Sequence, residues 1–367
     1  MKKSLSIFLM AFILIGIIGL IPSTAATINP LQDLAEIVTI INNYNQAHSG
    51  TLTARLEPTE WGTTIIVVTG EVSNATTGLT LPWQETSLMW QANISGNPSG
   101  GESLLRFLGW SGISNAVIET NGRAIEGNLF EITDATITGI IYIGADPIQI
   151  TNSVITSNIT LENDASLALV DSVFHGSLIF NGESQSLFIA NSEANITYIA
   201  GNGIDLTIYE NAHVYVDCVD NLTNIFFQKH SSAVVDFEDR LNNFIRSDEG
   251  GLTVVGNVTL NSLSLTEWAG RLLYIPVGAS LSLNQLQLGG GVILIIDGTL
   301  NLPANFDFSA WNGVVMGDNA GNLLGTWENG VRTPPSGAPC SRWYNRMPVW
   351  LHWVFRNIFF GWAWMCC

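Results

Sequence analysis

The chain has 367 residues, 47% of them hydrophobic, and its 31 acidic residues against 13 basic ones give a net charge of −18. A chain of this length can bury a large core without disulfide support, and its four cysteines are sparse. The acidic balance repels phosphate backbones and anionic lipids, and no basic stripe reverses it locally, so the composition excludes a nucleic-acid-binding protein.

The start of the chain predicts a secretory signal peptide over residues 1–26. Lys2 and Lys3 precede an apolar run over 5–21, and small residues at 23–26 provide a cleavage site. An N-terminal anchor that is not cleaved is the alternative. In either case the segment predicts a protein that is secreted or displayed at the cell surface.

A single helix is predicted directly after this segment. Asn29 is a good N-cap residue, Pro30 suits the first helical turn, and the helix should stop near Gly50. One face of this helix is apolar and consists of Leu31, Leu34, Ile37, Val38, Ile41 and Tyr44. Residues 27–105 otherwise have the pattern of strands without a period. We predict that they form the N-terminal cap that a solenoid needs to shield its open strand edge.

A short sequence motif, which we call the phrase, then recurs along the middle of the chain, first as Ile-Thr-Asp-Ala at 132–135. Its copies start 18 to 20 residues apart, at Ile132, Ile150, Leu169, Ile189 and Ile208. A fixed period of this size predicts a solenoid, in which each repeat buries its apolar edge only against its neighbours. We expect the five starting residues to lie above one another in one interior column.

Short strands broken by glycine, asparagine and aspartate every few residues are typical of a coil with three strands and three bends. The predicted fold class is all-β: a right-handed parallel β-helix with about twenty residues per coil over 106–310, preceded by one N-terminal capping helix. A β-sandwich or an antiparallel barrel is the alternative, but neither fold requires one phrase to recur in register.

The third position of the phrase is polar in every copy: Asp134, Asn152, Asp171, Asn191 and Glu210. In stacked coils these side chains lie about 5 Å apart, where two like charges repel by about 3 kcal/mol at an effective dielectric near 20. Alternating acid with amide separates the charges and lets each amide donate to a neighbouring carboxylate. We interpret the five residues as a structural ladder, and a row of cation sites is the alternative.

No motif in the chain carries recognisable catalytic chemistry. The sequence contains no nucleophile elbow, no metalloprotease histidine pair, no zinc-type cysteine pair and no phosphate-binding loop. The densest acidic cluster is Asp236, Glu238 and Asp239, which a solvated turn explains. One partial calcium nonapeptide occurs at 201–205, but that motif binds calcium only in tandem copies. We predict no catalytic residues, no metal ligands and no cofactor, with calcium as the alternative.

The end of the chain changes composition abruptly. Residues 311–367 are predicted to hold a C-terminal cap and an aberrant tail, because no acidic residue follows Glu328 while arginine and tryptophan accumulate. Residues 348–367 are just long enough to span a bilayer, but Arg356 near the middle would cost about 2.5 to 3.5 kcal/mol. A poor anchor, an interfacial aromatic segment and residues read from a shifted frame all stay open. Membrane contact is predicted only through 348–367.

Several segments resemble one family of surface proteins. They are Thr63–Leu81, Met89–Ala92, Asn121–Ile125 and the glycine phrases that start at Gly278 and Gly298. Across about residues 60–305 the chain is similar to adhesin-like surface proteins of gut microbes. Those proteins carry a signal peptide and a right-handed parallel β-helix related to the pectate-lyase superfamily. The resemblance implies that fold and a surface location, and it assigns no functional residue.

Together these patterns predict a secreted or cell-surface β-helix that acts as an adhesin-like, structural or glycan-contacting module without catalysis. The expected partner is a host or microbial surface glycan or protein, contacted by a long flat face. The alternative is a carbohydrate-active enzyme on the same fold, either a polysaccharide lyase or a glycoside hydrolase. Two carboxylates about 5 to 9.5 Å apart, or a calcium cluster beside a base, would indicate the enzyme.

Overall fold

The computed structural model of the chain describes most residues between the predicted signal peptide and the tail. The described residues are 29–144, 147–163, 166–182, 185–209, 211–219, 222–227, 231–237, 242–248, 251–266, 271–289, 291–303, 306, 314–319, 326–328 and 331–333. The predicted signal peptide and the end of the predicted tail, 334–367, lie outside them, as do Glu210, Glu238 and Asp239.

The chain folds as a parallel β-solenoid of about 11 turns with roughly 20 residues per coil and one N-terminal helix. This confirms the predicted all-β parallel β-helix. The neighbouring coils pair strand on strand in parallel register, whereas the strands of a sandwich or an up-and-down barrel would pair antiparallel.

The described residues form helix α1 (Pro30–His48), a short 3₁₀ turn (Ser99–Gly101) and the strands β1 to β28. In chain order the strands are β1 Thr53–Pro58, β2 Thr64–Ala75, β3 Leu79–Leu81, β4 Leu88–Gly96, β5 Ser103–Ser114, β6 Val117–Thr133, β7 Thr136–Ile143, β8 Ile148–Thr151, β9 Val154–Thr156, β10 Ile159–Leu161, β11 Ser166–Val170, β12 Val173–Phe180, β13 Gln185–Ala190, β14 Glu193–Ala200, β15 Ile204–Ile208, β16 His213–Val216, β17 Leu222–Phe227, β18 Ser232–Asp236, β19 Phe244–Asp248, β20 Gly251–Val255, β21 Asn257–Leu265, β22 Leu272–Ile275, β23 Ser280–Leu288, β24 Ile293–Ile296, β25 Thr299–Asn301, β26 Val314–Met316, β27 Thr326–Glu328 and β28 Val331–Thr333.

Helix α1 covers one end of the apolar interior. It begins at Pro30 and ends at His48, and its C-cap residue Ser49 is left-handed at φ 56°. It packs against β1 and β2 through its buried residues Ile37, Ile41 and Tyr44. The Tyr44 hydroxyl donates to the Thr77 carbonyl at 2.8 Å, and burial raises the pKa of Tyr44 to about 12. The predicted N-terminal helix is therefore present, although the side chain of Asn29 makes no capping hydrogen bond.

Each regular coil contributes strands to three parallel sheets. The first sheet includes β8, β11, β13 and β15. The second includes β9, β16 and the first halves of β12 and β14, and the third includes β10 and the second halves of β12 and β14. Side chains alternate along each strand between the interior and the surface, so every sheet presents an outer face.

The five residues that start the phrase form one interior column in the first sheet. The registers join Ile132 to Ile150, Leu169, Ile189 and Ile208 in that order. All five residues have an exposed fraction of 0%. The predicted column is confirmed, and each coil buries its apolar edge against the coils before and after it.

Parallel pairing begins before residue 106, where the β-helix was predicted to start. Strand β2 already pairs in parallel with β4, with Ile66 opposite Leu88, whereas β1 pairs with β2 antiparallel. The phrase is not needed for this stacking, because alternating inward residues such as Val68 and Trp90 supply the same buried edge.

An antiparallel excursion interrupts the coils after β18. Strand β19 pairs antiparallel with both β18 and β20, and β17 pairs directly with β21. Parallel pairing then resumes from β20 to β22 and from β21 to β23. The excursion lengthens one coil, and it lies after Phe227, which is still in parallel register with Ile208.

Candidate functional site: ladders and exposed faces

A ladder of left-handed residues follows the bend between the first and second sheets. Asp134, Asn152, Asp171 and Asn191 occupy this bend in successive coils with φ between 48° and 51°. Asparagine and aspartate tolerate the left-handed region better than other residues that carry a Cβ. Four of the five residues predicted for the ladder therefore share one backbone conformation at one bend.

The fifth predicted residue, Glu210, lies outside the described residues, and the next left-handed residue is Asn211 at φ 51°. The Asn211 amide donates to Asn191 Oδ1 at 3.1 Å, so the stack continues through Asn211. The bend after Ile208 contains one residue more than the earlier bends. Counting from the start of the phrase therefore missed Asn211. It also missed Asn115, which is left-handed at φ 50° one coil before Asp134.

Hydrogen bonds inside and beside the ladder join the coils. The Asn152 amide donates to Asp134 Oδ1. The next position holds the buried serines Ser153, Ser172 and Ser192. Ser153 Oγ accepts from the Ala135 amide of the preceding coil at 3.1 Å and donates to the Thr151 carbonyl at 2.8 Å, and Ser172 repeats both contacts. These bonds use donors and acceptors within the bend, which supports the structural interpretation.

Substitution of Asn152 tests the backbone explanation of this ladder. Asn152→Val forces a β-branched residue into the left-handed region, whereas Asn152→Gly keeps the conformation and removes only the amide. We expect the valine variant to be less stable than the glycine variant by about 1 to 2 kcal/mol in urea unfolding. Equal losses in the two variants would contradict the conformational explanation.

A second ladder lies on the outer face of the first sheet. The Asn224 amide donates to Asp205, the Asn261 amide donates to Asn224 Oδ1 at 3.1 Å, and the Asn284 amide donates to Asn261 Oδ1 at 3.1 Å. Asn261 and Asn284 also line an open groove that includes Asn202. Asp205, from the partial calcium motif, is thus hydrogen-bonded to an amide. The pattern escaped sequence analysis because Asn224 and Asn261 are 37 residues apart.

A second groove on the outer face of the second sheet includes several titratable groups. It is lined by Glu193, Asn195, His213, Val214, Tyr215, Ser232, Ala233, Val234, Arg246 and Ser247. His213 Nδ1 lies 2.6 Å from Ser232 Oγ, and the Asn195 amide lies 3.4 Å from Glu193 Oε1. The groove presents hydrogen-bonding groups, and Glu193 is the one carboxylate among the residues that line it.

The structure locates one residue of the predicted acidic cluster and shows whether the described residues can form a metal site. Asp236 is fully buried at the end of β18, and its two predicted companions lie outside the described residues. Within the described part of the chain, no group of three or more histidine, cysteine, aspartate or glutamate side chains has a geometry that could hold a metal ion.

An ion-pair network lies on the outer face of the third sheet, near the N-terminal end. Glu126 Oε1 lies 3.2 Å from Arg106 Nε, and Glu126 Oε2 lies 2.9 Å from Arg123 Nη1. Ser103 Oγ donates to Glu126 Oε2 at 2.8 Å, and the Arg123 guanidinium lies 4.3 Å from the centre of the Tyr142 ring. One carboxylate thus holds two arginines.

The pKa of Glu126 is lowered from its ordinary value. Burial opposes ionisation and is the largest single influence, but hydrogen bonds from Ser103 and Arg123 and the charges of Arg106 and Arg123 together outweigh it. A lowered folded-state pKa stabilises the fold above the unfolded pKa near 4.5, and this contribution is lost as the pH falls through the folded pKa.

Glu126→Gln should therefore lower the free energy of unfolding at neutral pH by less than about 1 kcal/mol, because the network is partly solvated. We expect the difference from the wild type to shrink in acid, as the pH falls from about 4.5 through the lowered folded-state pKa of Glu126. Urea unfolding at neutral pH and at a series of acidic pH values measures it. A difference that persists unchanged in acid would show that ionisation of Glu126 is not its cause.

None of the helical segments in the described residues combines the length and the apolar character needed to cross a bilayer. Comparison with known proteins gave no further assignment: no family model, no curated protein and no solved structure matches the chain.

Proposed function

We propose that this protein is a non-catalytic module of the cell surface or the extracellular space that contacts glycans or proteins through the flat faces of its solenoid. The observation that carries the proposal is the long parallel stack itself. Its outer faces present polar side chains in hydrogen-bonded ladders such as Asp205–Asn224–Asn261–Asn284. Ordered rows of amides at the spacing of the coils suit repeated hydrogen bonding to an extended ligand.

The proposed location rests on the sequence. The signal peptide predicted at 1–26 would direct the chain out of the cytoplasm, and the resemblance to adhesin-like surface proteins agrees with that route. The parallel β-helix is a fold that fits a structural or surface module. We therefore propose a surface glycan or a surface protein as the partner, and an adhesin-like role for the module.

A glycan array probed with the full-length purified protein tests this function. We expect binding to a restricted group of glycans. We also expect that binding to survive removal of calcium by a chelator, because the Asp134 and Asp205 carboxylates already accept hydrogen bonds from amides. Failure to bind any glycan would overturn the glycan-contacting role, and loss of binding on chelation would contradict the calcium-independent mechanism.

A carbohydrate-active enzyme is the second candidate, and the groove with Glu193, His213, Tyr215 and Arg246 is the observation that favours it. A lyase would release unsaturated sugars, which absorb ultraviolet light, and a hydrolase would release reducing ends. We expect neither product when the protein is incubated with a panel of polysaccharides. Turnover that Glu193→Gln abolishes would overturn the non-catalytic proposal and assign catalysis to this groove.

A further inference from the structure

Three large apolar side chains are exposed close together near the N-terminal end of the solenoid. Trp83 lies in the bend after β3 with 59% of its surface exposed, and β5 contributes Leu108 at 42% and Trp110 at 36%. Most outer positions of this solenoid carry small or polar side chains. Grouped exposure of large apolar side chains costs free energy and commonly marks a binding surface.

The two segments that carry these side chains are neighbours in successive coils. A Cβ at Gly109 would lie 3.5 Å from Trp83 Cα and 3.2 Å from the Gln84 amide nitrogen, so the coils touch at this point. Trp83 therefore lies beside the position between Leu108 and Trp110. The bend that carries Trp83 is anchored on helix α1, because the Thr86 amide donates to Asp33 Oδ2 at 2.9 Å. This hydrogen bond fixes the bend that carries Trp83 to helix α1.

Arg106 extends the same surface along β5. Arg106, Leu108 and Trp110 alternate with buried residues, so all three point outward where β5 passes from the third sheet towards the first. Arg106 contacts Glu126 through Nε, and 51% of the Arg106 side chain stays exposed to solvent. Arg123 is held beside it by the same carboxylate. Within this network the two guanidinium groups exceed the Glu126 carboxylate by one positive charge, on a chain whose net charge is −18.

We propose that Trp83, Arg106, Leu108, Trp110 and Arg123, which we name the Trp–Arg strip, bind an anionic glycan. Sugar rings would lie on the indole faces, and a carboxylate or sulfate on the sugar would pair with the terminal nitrogens of Arg106. This inference deepens the proposed function and rests on it, because it names the face and the ligand chemistry of the same module.

The charges of the molecule favour this occupant over other polyanions. Nucleic acid carries one charge about every 1.7 Å, and an anionic bilayer presents a wide charged plane, so both would meet the acidic faces around the strip. A short stretch of anionic glycan contacts the strip alone. Repulsion from charges farther away is screened over about 8 Å at physiological ionic strength.

Calorimetric titration of the full-length protein with short oligosaccharides tests the proposal. The ligands are hyaluronan oligosaccharides, which carry only carboxylates, chondroitin sulfate oligosaccharides, which also carry sulfates, and neutral chitin oligosaccharides of equal length. We expect at least one anionic series to bind at least about tenfold more tightly than the neutral one. We also expect Trp110→Ala and Arg106→Ala each to weaken that binding about tenfold.

Matched controls separate the strip from general effects of charge or exposed aromatics. Arg55→Ala removes an exposed arginine that is also paired with a glutamate, and Trp61→Ala removes a tryptophan that is 79% exposed at another turn. Both controls should bind like the wild type. Glu126→Gln should tighten binding several-fold, because it releases both arginines from their internal carboxylate. Thermal melting of each variant confirms that it is folded.

The outcomes distinguish this inference from the proposed function. If the wild type binds glycans and the strip variants bind them equally well, the Trp–Arg strip is not the binding site, while the proposed function stands. If neutral and anionic series bind alike, or if Glu126→Gln weakens binding, the charge recognition is wrong. If no glycan binds at all, on the array or in solution, the glycan-contacting function itself is overturned.

Discussion

Leu169→Asp should abolish the folded solenoid, whereas Ala168→Asp at the next position should leave it intact. Leu169 is fully buried in the interior column, in register with Ile150 and Ile189. A carboxylate there would lose its hydration with no partner among apolar neighbours, at a cost on the order of 5 kcal/mol. That is a large fraction of the stability of a typical domain.

The neighbouring substitution is the matched control, because Ala168 lies on the outer side of the same strand and is half-buried. Its register neighbours, Gln149 and Phe188, carry no charge. We expect Ala168→Asp to change stability by less than about 1 kcal/mol. Far-ultraviolet circular dichroism and urea unfolding measure both variants. Similar losses at the two positions would contradict the alternation of interior and surface residues on which the fold depends.

Gly70→Ala should destabilise the N-terminal end by about 3 kcal/mol. Gly70 has φ +113°, a conformation that residues with a Cβ rarely adopt, and an added Cβ would lie 2.4 Å from the Thr51 carbonyl oxygen. The Thr51 backbone cannot easily move aside, because its amide donates to the Glu71 carbonyl at 2.9 Å. Strain and overlap therefore act together, since each costs about 1 to 3 kcal/mol.

Gly122→Ala is the control for this substitution. The nearest atom to a Cβ at Gly122 is the Thr120 hydroxyl at 3.9 Å, so the added methyl group meets no obstacle. We expect the melting temperature to fall clearly for Gly70→Ala and to stay near the wild-type value for Gly122→Ala. An unchanged melting temperature for Gly70→Ala would show that the Thr51 carbonyl, in the connection from helix α1 to β1, does not lie as close to Gly70 as the 2.4 Å distance indicates.

The period of the phrase was enough to predict the stacking of the coils. Only in-register coils bring Ile132, Ile150 and Leu169 into one column, and the structure contains that column. Counting residues from the start of each phrase gave the wrong ladder residue at one bend. Asn211 continues the stack of left-handed residues there, because the bend after Ile208 contains an additional residue that a fixed period does not allow for.

The antiparallel pairing of β19 could not be predicted from the sequence for a related reason. Its pairing joins residues that belong to different coils, and no local pattern distinguishes an inserted strand from the next regular one. Because β17 then pairs directly with β21, Asn224 and Asn261 become neighbours across 37 residues of chain. The second ladder exists only as a consequence of that pairing.

The sequence by itself determined the fold of this protein, because every repeat contains the apolar residues that its own coil buries. The exposed faces were decided only by the tertiary structure. Trp83 and Trp110 come from different coils. Arg106 on β5 reaches the Glu126 carboxylate, which Arg123 contacts from the same strand β6, only after β5 and β6 have stacked. A period in the sequence reports which residues face inward, whereas a surface that binds a partner depends on which outward side chains the stacking brings together.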